Sequence, residues 1–227
     1  MKDKQNNRKQ YTHPHADTLR QARRRQQLAA DIAAKGITDE NVLDAISSLP
    51  RHLFMPDGME DNAYVDRAFP IGEGQTISQP YTVAYQTQLL NVQPQDKILE
   101  VGTGSAYQAA ILAEMGAEVY TIERQKKLYD RNLHFQFLRS FPNLHFHYGD
   151  GYKGWPAEAP FDKILITAAP EELPLALTEQ LRIGGLLVAP VGKQGNQRMI
   201  RVTREKNELY EELFDYFSFV PMLEGKV

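Results

Sequence analysis

At 227 residues, with 42% hydrophobic and 24% charged side chains, the chain is long enough and apolar enough to build a sizeable core without staples. It contains no cysteine, which excludes disulfides, thiolate zinc sites and a cysteine nucleophile. A net charge of -3 gives no general attraction for nucleic acid, and no run approaches the roughly 20 apolar residues of a membrane span.

Residues 1–17 are polar and basic, with Lys2, Lys4, Arg8 and Lys9 ahead of the helix-breaking His13-Pro14-His15. They read as a disordered tail. No apolar h-region follows, so they do not read as a targeting segment. From Thr18 to Lys35 the apolar Leu19, Ala22, Leu28, Ile32 and Ala33 recur at helical spacing, with Gly36 as the stop. Thr38 is placed to cap a second helix, with Asp39 and Glu40 at its positive start; this helix turns Val42, Leu43 and Ile46 inward and ends before Pro50. Residues 51–74, rich in Pro, Gly and Asp, read as irregular loop. The span 18–75 is thus an N-terminal helical segment packed on a core that runs over 76–227, the two making one domain over 18–227.

In the core, short apolar strands alternate with helices. Strands are expected at 97–101, 118–122, at 144–148 with a period of two, at 161–167 and at 185–190; a helix reaches Met115 and another spans about 126–139. Tyr81 and Tyr85, four apart after Pro80, line one helix face. This rhythm implies a doubly wound, Rossmann-like α/β sheet, mostly parallel, with N-terminal helices before it. Right-handed crossovers gather the loops after each strand along one edge, where ligands bind. Residues 197–219 add two hairpin-like strands, a C-terminal β extension. His145 and His147 share one strand face, but no third ligand has suitable spacing, so no metal is expected.

The chemistry starts in the run Glu100-Val101-Gly102-Thr103-Gly104-Ser105-Ala106, where a strand turns into a helix. Gly102 permits the tight turn, and Gly104 lets backbone approach a ligand that a side chain would block. Glu123 ends the next strand, 21 positions after Gly102, where a carboxylate accepts hydrogen bonds from both ribose hydroxyls. A dinucleotide fingerprint places a third glycine five positions after the first, and here that position is Tyr107. The pyrophosphate is thereby disfavoured, and a nucleoside without phosphates, such as S-adenosylmethionine, is the better guest.

Longer strings make the reading specific. Pro50-Arg51-His52-Leu53-Phe54, Gly74-Gln75-Thr76-Ile77-Ser78-Gln79-Pro80, the run from Leu99 to Ala110, Gly149-Asp150-Gly151-Tyr152, residues 184–192 and Phe219-Val220-Pro221 together resemble the protein-L-isoaspartate O-methyltransferase family from about Arg24 to Met222. The resemblance implies that Ser78 is the catalytic residue and that Thr76 and Ile77 lie beside the cofactor. It implies that Gly102, Thr103, Gly104 and Ser105 border the methionine part, that Glu123 holds the ribose, and that Asp150 and Gly151 meet the adenine. Val220 and Pro221, with Ser78, resemble the segments that bind substrate backbone. Where the family has glycine this chain has Ala106, whose one added methyl is tolerable if φ is negative there. The implied partners are damaged proteins carrying isoaspartyl residues, without nucleic acid or membrane, for a cytoplasmic monomer.

The implied reaction fits the residues. A carboxylate with a pKa near 4 is already the ionised nucleophile at neutral pH, so no general base is needed and Ser78 orients rather than attacks. Asp150 has a plainer role as a turn cap, and Trp155 as core filler. The alternatives are a methyltransferase for another carboxylate or small molecule, a nicotinamide oxidoreductase, a nucleic-acid methyltransferase and a non-catalytic binding module. The lack of cysteine and of a third glycine weighs against two of them, and Thr167-Ala168-Ala169-Pro170 replaces the Pro-Pro-aromatic loop of amino-group methyltransferases.

Overall fold

A computed structural model describes residues 17–227, so of the disordered tail expected over 1–17 all but Asp17 lies outside the described residues. Helix α1 spans Leu19–Ala34. Thr18 caps it in a reciprocal pair with Gln21, and Gly36 at φ +103 ends it. Asp17 accepts bonds from Arg25 at 2.8 and 3.0 Å, an ion pair against the buried side of the helix. Helix α2 spans Glu40–Ser48. Its cap is Asp39, one residue later than the Thr38 expected from sequence. Gln88 Oε1 takes the N–H groups of both Thr38 and Asp39, at 2.7 and 3.0 Å, which leaves Asp39 to accept from Asn41 and Val42.

Residues 51–74 are more ordered than an irregular loop. Two 3-10 turns, Arg51–Phe54 and Glu60–Asn62, precede strand β1, Phe69–Gly72, which pairs antiparallel with β2, Gln75–Ile77. Three successive positive φ angles, at Gly72, Glu73 and Gly74, make the reversal between them. Helix α3, Pro80–Leu90, follows at once.

The main sheet holds seven strands in the order β5-β4-β3-β6-β7-β8-β9. β3 is Lys97–Val101, β4 Glu118–Glu123, β5 Leu144–Tyr148, β6 Phe161–Ile166 and β7 Leu181–Val191, all parallel. β8, Gln197–Arg204, and β9, Leu209–Phe217, close the far edge antiparallel. The expected fold class is therefore the observed one. Alternation along the strands divides the core: Ile98, Val119, Leu165 and Val188 face α1–α3 and α4, Tyr107–Glu114, while Leu99, Ile122, Ile164 and Leu187 face the short α6, Leu175–Glu179. Each such side chain contributes about 1.5–3 kcal/mol by leaving water.

The helix expected over about 126–139 is α5, Lys126–His134, followed by a 3-10 stretch, Gln136–Ser140. The break has a packing cause. Phe135 and Phe137 both set their rings edge-on to Phe54, at 5.3 and 5.6 Å, and positions two apart cannot share one face of an α-helix.

Candidate active site

The carboxyl ends of β3, β4 and β6 meet the chain's final segment around a cleft of about 510 Å³. Gly102, Gly104, Glu123, Gly151, Val220 and Pro221 line it, joined by Gln75, Val101, Ile122, Arg124, Thr167, Ala168, Met222 and Leu223. The final segment is fixed by backbone bonds on both sides of Pro221: Ala169 N–H donates to Val220 O, and Met222 N–H to Ala169 O. Arg124 donates to the carbonyls of Glu224 and Gly225, so this segment is tied to the end of β4.

Two glycines are required by geometry. Gly102 has φ +105, and a Cβ there would stand 2.5 Å from Thr167 Oγ1. That hydroxyl is itself held, donating to the carbonyls of Val101 and Gly102. A Cβ on Gly151 would stand 2.5 Å from Val101 Cγ1, so the backbone comes flush against the strand that floors the cleft. Gly104 needs its freedom for φ +53 and not for space, since its nearest side-chain neighbour, Ile71 Cδ1, would lie 3.6 Å away.

Ala106 corrects the sequence expectation. Its φ is +63, not negative, and it is wholly buried at the start of α4. A left-handed alanine costs roughly 1–2 kcal/mol, which the packed methyl offsets in part. The third-glycine position holds Tyr107, buried edge-on to Phe54 and beneath the Arg51 guanidinium at 4.6 Å.

Glu123 is only 4% exposed. Its Oε2 accepts the Gly104 N–H and its Oε1 the Gln125 N–H, each at 2.8 Å. Burial pushes this carboxyl above its usual range, while those N–H groups pull it back. The glycine loop is thus stitched to β4 by the residue expected to hold a ribose, with lone pairs to spare. Asn132 of α5 holds the same loop, donating to Gly104 O at 3.0 Å. Thr103 Oγ1 meets Thr121 Oγ1 at 2.6 Å, and Thr121 donates to Glu100 Oε2. Glu100 is fully buried, and desolvation pushes its carboxyl up to about 8.

The other expected residues fall on neighbouring walls. Thr76 and Ser78 line a second, larger cleft of about 1140 Å³ with Tyr81, Phe217, Phe219 and Val220. Ile77, Ser78, Thr103 and Ser105 line a small cavity between the two, together with Gly102 and Tyr107. Thr167 lies on all three surfaces. Asp150 is not on the first cleft's wall; it accepts the Tyr152 N–H at 3.0 Å and caps a 3-10 turn, which places Gly151. Trp155 stacks on His147 at 4.5 Å and sets its edge to Tyr120, away from the cleft. His145 pairs with Glu118, and no group of three metal-liganding side chains occurs among the described residues.

Ser78 is held from behind by two residues that sequence reasoning passed over. Arg51, fully buried, donates from Nη2 to the Ser78 carbonyl at 2.7 Å. Asp66 accepts the Tyr81 N–H at the start of α3 and the Gln79 amide, and pairs with Lys35. Those bonds draw the Asp66 carboxyl below its usual range against the opposing effect of burial.

The match to known proteins covers both clefts. The family model for protein-L-isoaspartate(D-aspartate) O-methyltransferase matches residues 23–227. The chain belongs to that family. A protein-L-isoaspartate O-methyltransferase of Christiangramia forsetii is 49% identical over 210 residues, which are 92% of this chain and 99% of that one. Its counterpart from Halorhodospira halophila is 50% identical over 208 residues, covering 90% and 94%. Among solved structures, a family member from Plasmodium falciparum in complex with S-adenosyl-L-homocysteine superposes with a TM-score of 0.76 at 25% identity, over 88% of this chain and 98% of that one. Another protein-L-isoaspartate O-methyltransferase gives 0.79 over 87% of this chain and 65% of that one, at 24% identity, a likeness of fold. As a family member, the chain has no helix among the described residues long and apolar enough to cross a membrane.

Proposed function

We propose that the protein transfers a methyl group from S-adenosylmethionine to the free α-carboxylate of L-isoaspartyl residues in damaged proteins, starting their repair through a succinimide. The observation that carries this reading is the meeting of the two clefts at Thr167 and Val220, with Ser78 on the wall of the larger one. The donor suits the smaller cleft: apolar Val101, Ile122 and Met222 face a flat heterocycle, and the buried Glu123 carboxylate faces a diol. When bound, S-adenosylmethionine supplies an electrophilic methyl on a sulfonium.

The chain's own residues position and dehydrate. Gly102, Thr103, Gly104 and Ser105 shape the seat for the methionine part, with Thr76 and Ile77 beside it. Glu123 holds the ribose, and Gly151, placed by Asp150, meets the adenine. Ser78 donates to the acceptor oxygen that is not attacking, while Val220 and Pro221 receive the substrate backbone. The acceptor carboxylate is ionised without help, so alignment is the main source of rate, worth roughly 7–11 kcal/mol in favourable cases. Arg51 and Asp66 serve that alignment by fixing the Ser78 carbonyl and the backbone that follows it at Tyr81. Residues 18–227 act as one domain, as a cytoplasmic monomer without nucleic acid. Incubation with methyl-labelled S-adenosylmethionine and an isoaspartyl peptide, then base treatment, tests the activity: volatile labelled methanol is expected from the ester, and its absence would reject carboxyl methylation.

A further inference from the structure

An aspartate followed by glycine closes to a succinimide with little hindrance, because no side chain shields the attacking backbone nitrogen. The chain contains two such pairs, Asp57-Gly58 and Asp150-Gly151. The fold treats them oppositely. Asp150 is engaged by the Tyr152 N–H, and Gly151 is buried with Val101 against its Cα. Asp57 and Gly58 are both exposed. The Met59 N–H donates to Pro56 O at 3.0 Å and closes a turn with Gly58 at φ +81. No atom lies within 4 Å of the position a Cβ on Gly58 would take. The Asp57 carboxyl makes no hydrogen bond or ion pair among the described residues.

We propose that Asp57 is a site of spontaneous isomerisation in this enzyme and that the resulting isoaspartyl residue is a substrate for a second copy of the same chain. This rests on the isoaspartyl activity proposed above. Gly58 N attacks Asp57 Cγ; a C–N bond forms, one water leaves, and the ring closes. Water then enters at the α-carbonyl carbon and breaks its bond to Gly58 N. The main chain now runs through Cγ and leaves a free α-carboxylate. That carboxylate takes the methyl group, and S-adenosylhomocysteine departs. No oxidant or further reactant is required. The acceptor acts in trans, because Asp57 lies on the wall of a cavity with Ser105 and Arg131 that shares no residue with the larger Ser78 cleft, proposed above to receive the substrate, and touches the small Ser78 cavity through Ser105 alone. An exposed turn closed by one backbone bond is also the kind of segment that opens readily to enter another molecule's cleft.

The test uses fresh Asp57→Glu enzyme as catalyst, labelled S-adenosylmethionine, and as acceptors full-length wild type or Asp57→Glu protein, each aged at physiological temperature and pH. A free isoaspartyl peptide is assayed with every catalyst preparation. Label is expected on aged wild type and, after proteolysis at acidic pH that spares the methyl ester, within the peptide that contains Asp57; aged Asp57→Glu is expected to stay at the background of unaged protein. Equal label on both aged acceptors, or label outside that peptide, would overturn the assignment of Asp57. Methylation of the free peptide with none on aged wild type would defeat the self-substrate while leaving the activity standing. Failure on both would defeat the activity as well.

Discussion

Replacing Glu123 with glutamine separates its two roles. Each oxygen accepts one backbone N–H at 2.8 Å, so the carboxylate already braces the glycine loop before any ligand arrives. Glutamine has the same shape but one accepting oxygen, so the Gly104 or Gln125 N–H must face an NH₂ group. An unsatisfied buried donor costs about 1–3 kcal/mol, and losing the buried charge returns part of that. Fold stability should therefore fall by no more than about 3 kcal/mol. The ribose loses at least one charge-assisted bond, about 1.5–3 kcal/mol. At 1.4 kcal/mol per decade, affinity weakens roughly ten- to a hundredfold. Calorimetry with S-adenosylhomocysteine, beside thermal melts of the same samples, measures both. A variant that melts lower but binds within about twofold of wild type would reduce Glu123 to a loop brace and refute its ribose role.

Ser78→Ala should lower turnover far more than cofactor affinity, because Arg51 holds the Ser78 carbonyl and not its hydroxyl; steady-state kinetics with equal loss in both would reject the orienting role. Gly102→Ala should cost about 1–3 kcal/mol in backbone strain alone and abolish cofactor binding as its Cβ meets Thr167, a result checked by melting and calorimetry. Glu100 changes stability with pH in a defined direction. Its folded pKa of about 8 lies above the ordinary 4.5, so between those values only the folded state holds the proton. Wild type should lose stability as pH rises through that window, whereas Glu100→Gln does not titrate; melting temperatures that run parallel from pH 4.5 to 8 would contradict this.

Much of the sheet was legible because its strands are short apolar runs with opposite faces buried, a signal local to each strand. The reversal at residues 72–74 was not, since glycine and a left-handed Glu73 signal a turn without saying that Phe69–Gly72 and Gln75–Ile77 pair across it. The break after α5 depends on where Phe135 and Phe137 meet Phe54, which is tertiary information. In the site, Gly102, Gly104 and Glu123 were readable because turn chemistry and strand ends fix them locally. Thr167, Met222 and Asp66 were not, because each reaches the site from another element and carries no motif of its own, and for Arg51 the string around it does not say that its guanidinium reaches the Ser78 carbonyl. The left-handed φ of Ala106 escaped for a related reason: the packing that imposes it comes from the whole loop.

Paired peptides identical except for one aspartyl or isoaspartyl linkage test the central claim most directly. The one-carbon shift of the main chain moves the free carboxylate relative to the backbone that Val220 and Pro221 would hold, and a misplacement of about 1 Å costs on the order of a hundredfold in rate. Initial rates of label transfer should be high for the isoaspartyl peptide and at background for its partner, with broad tolerance of flanking residues. Equal rates on the two peptides would contradict the account.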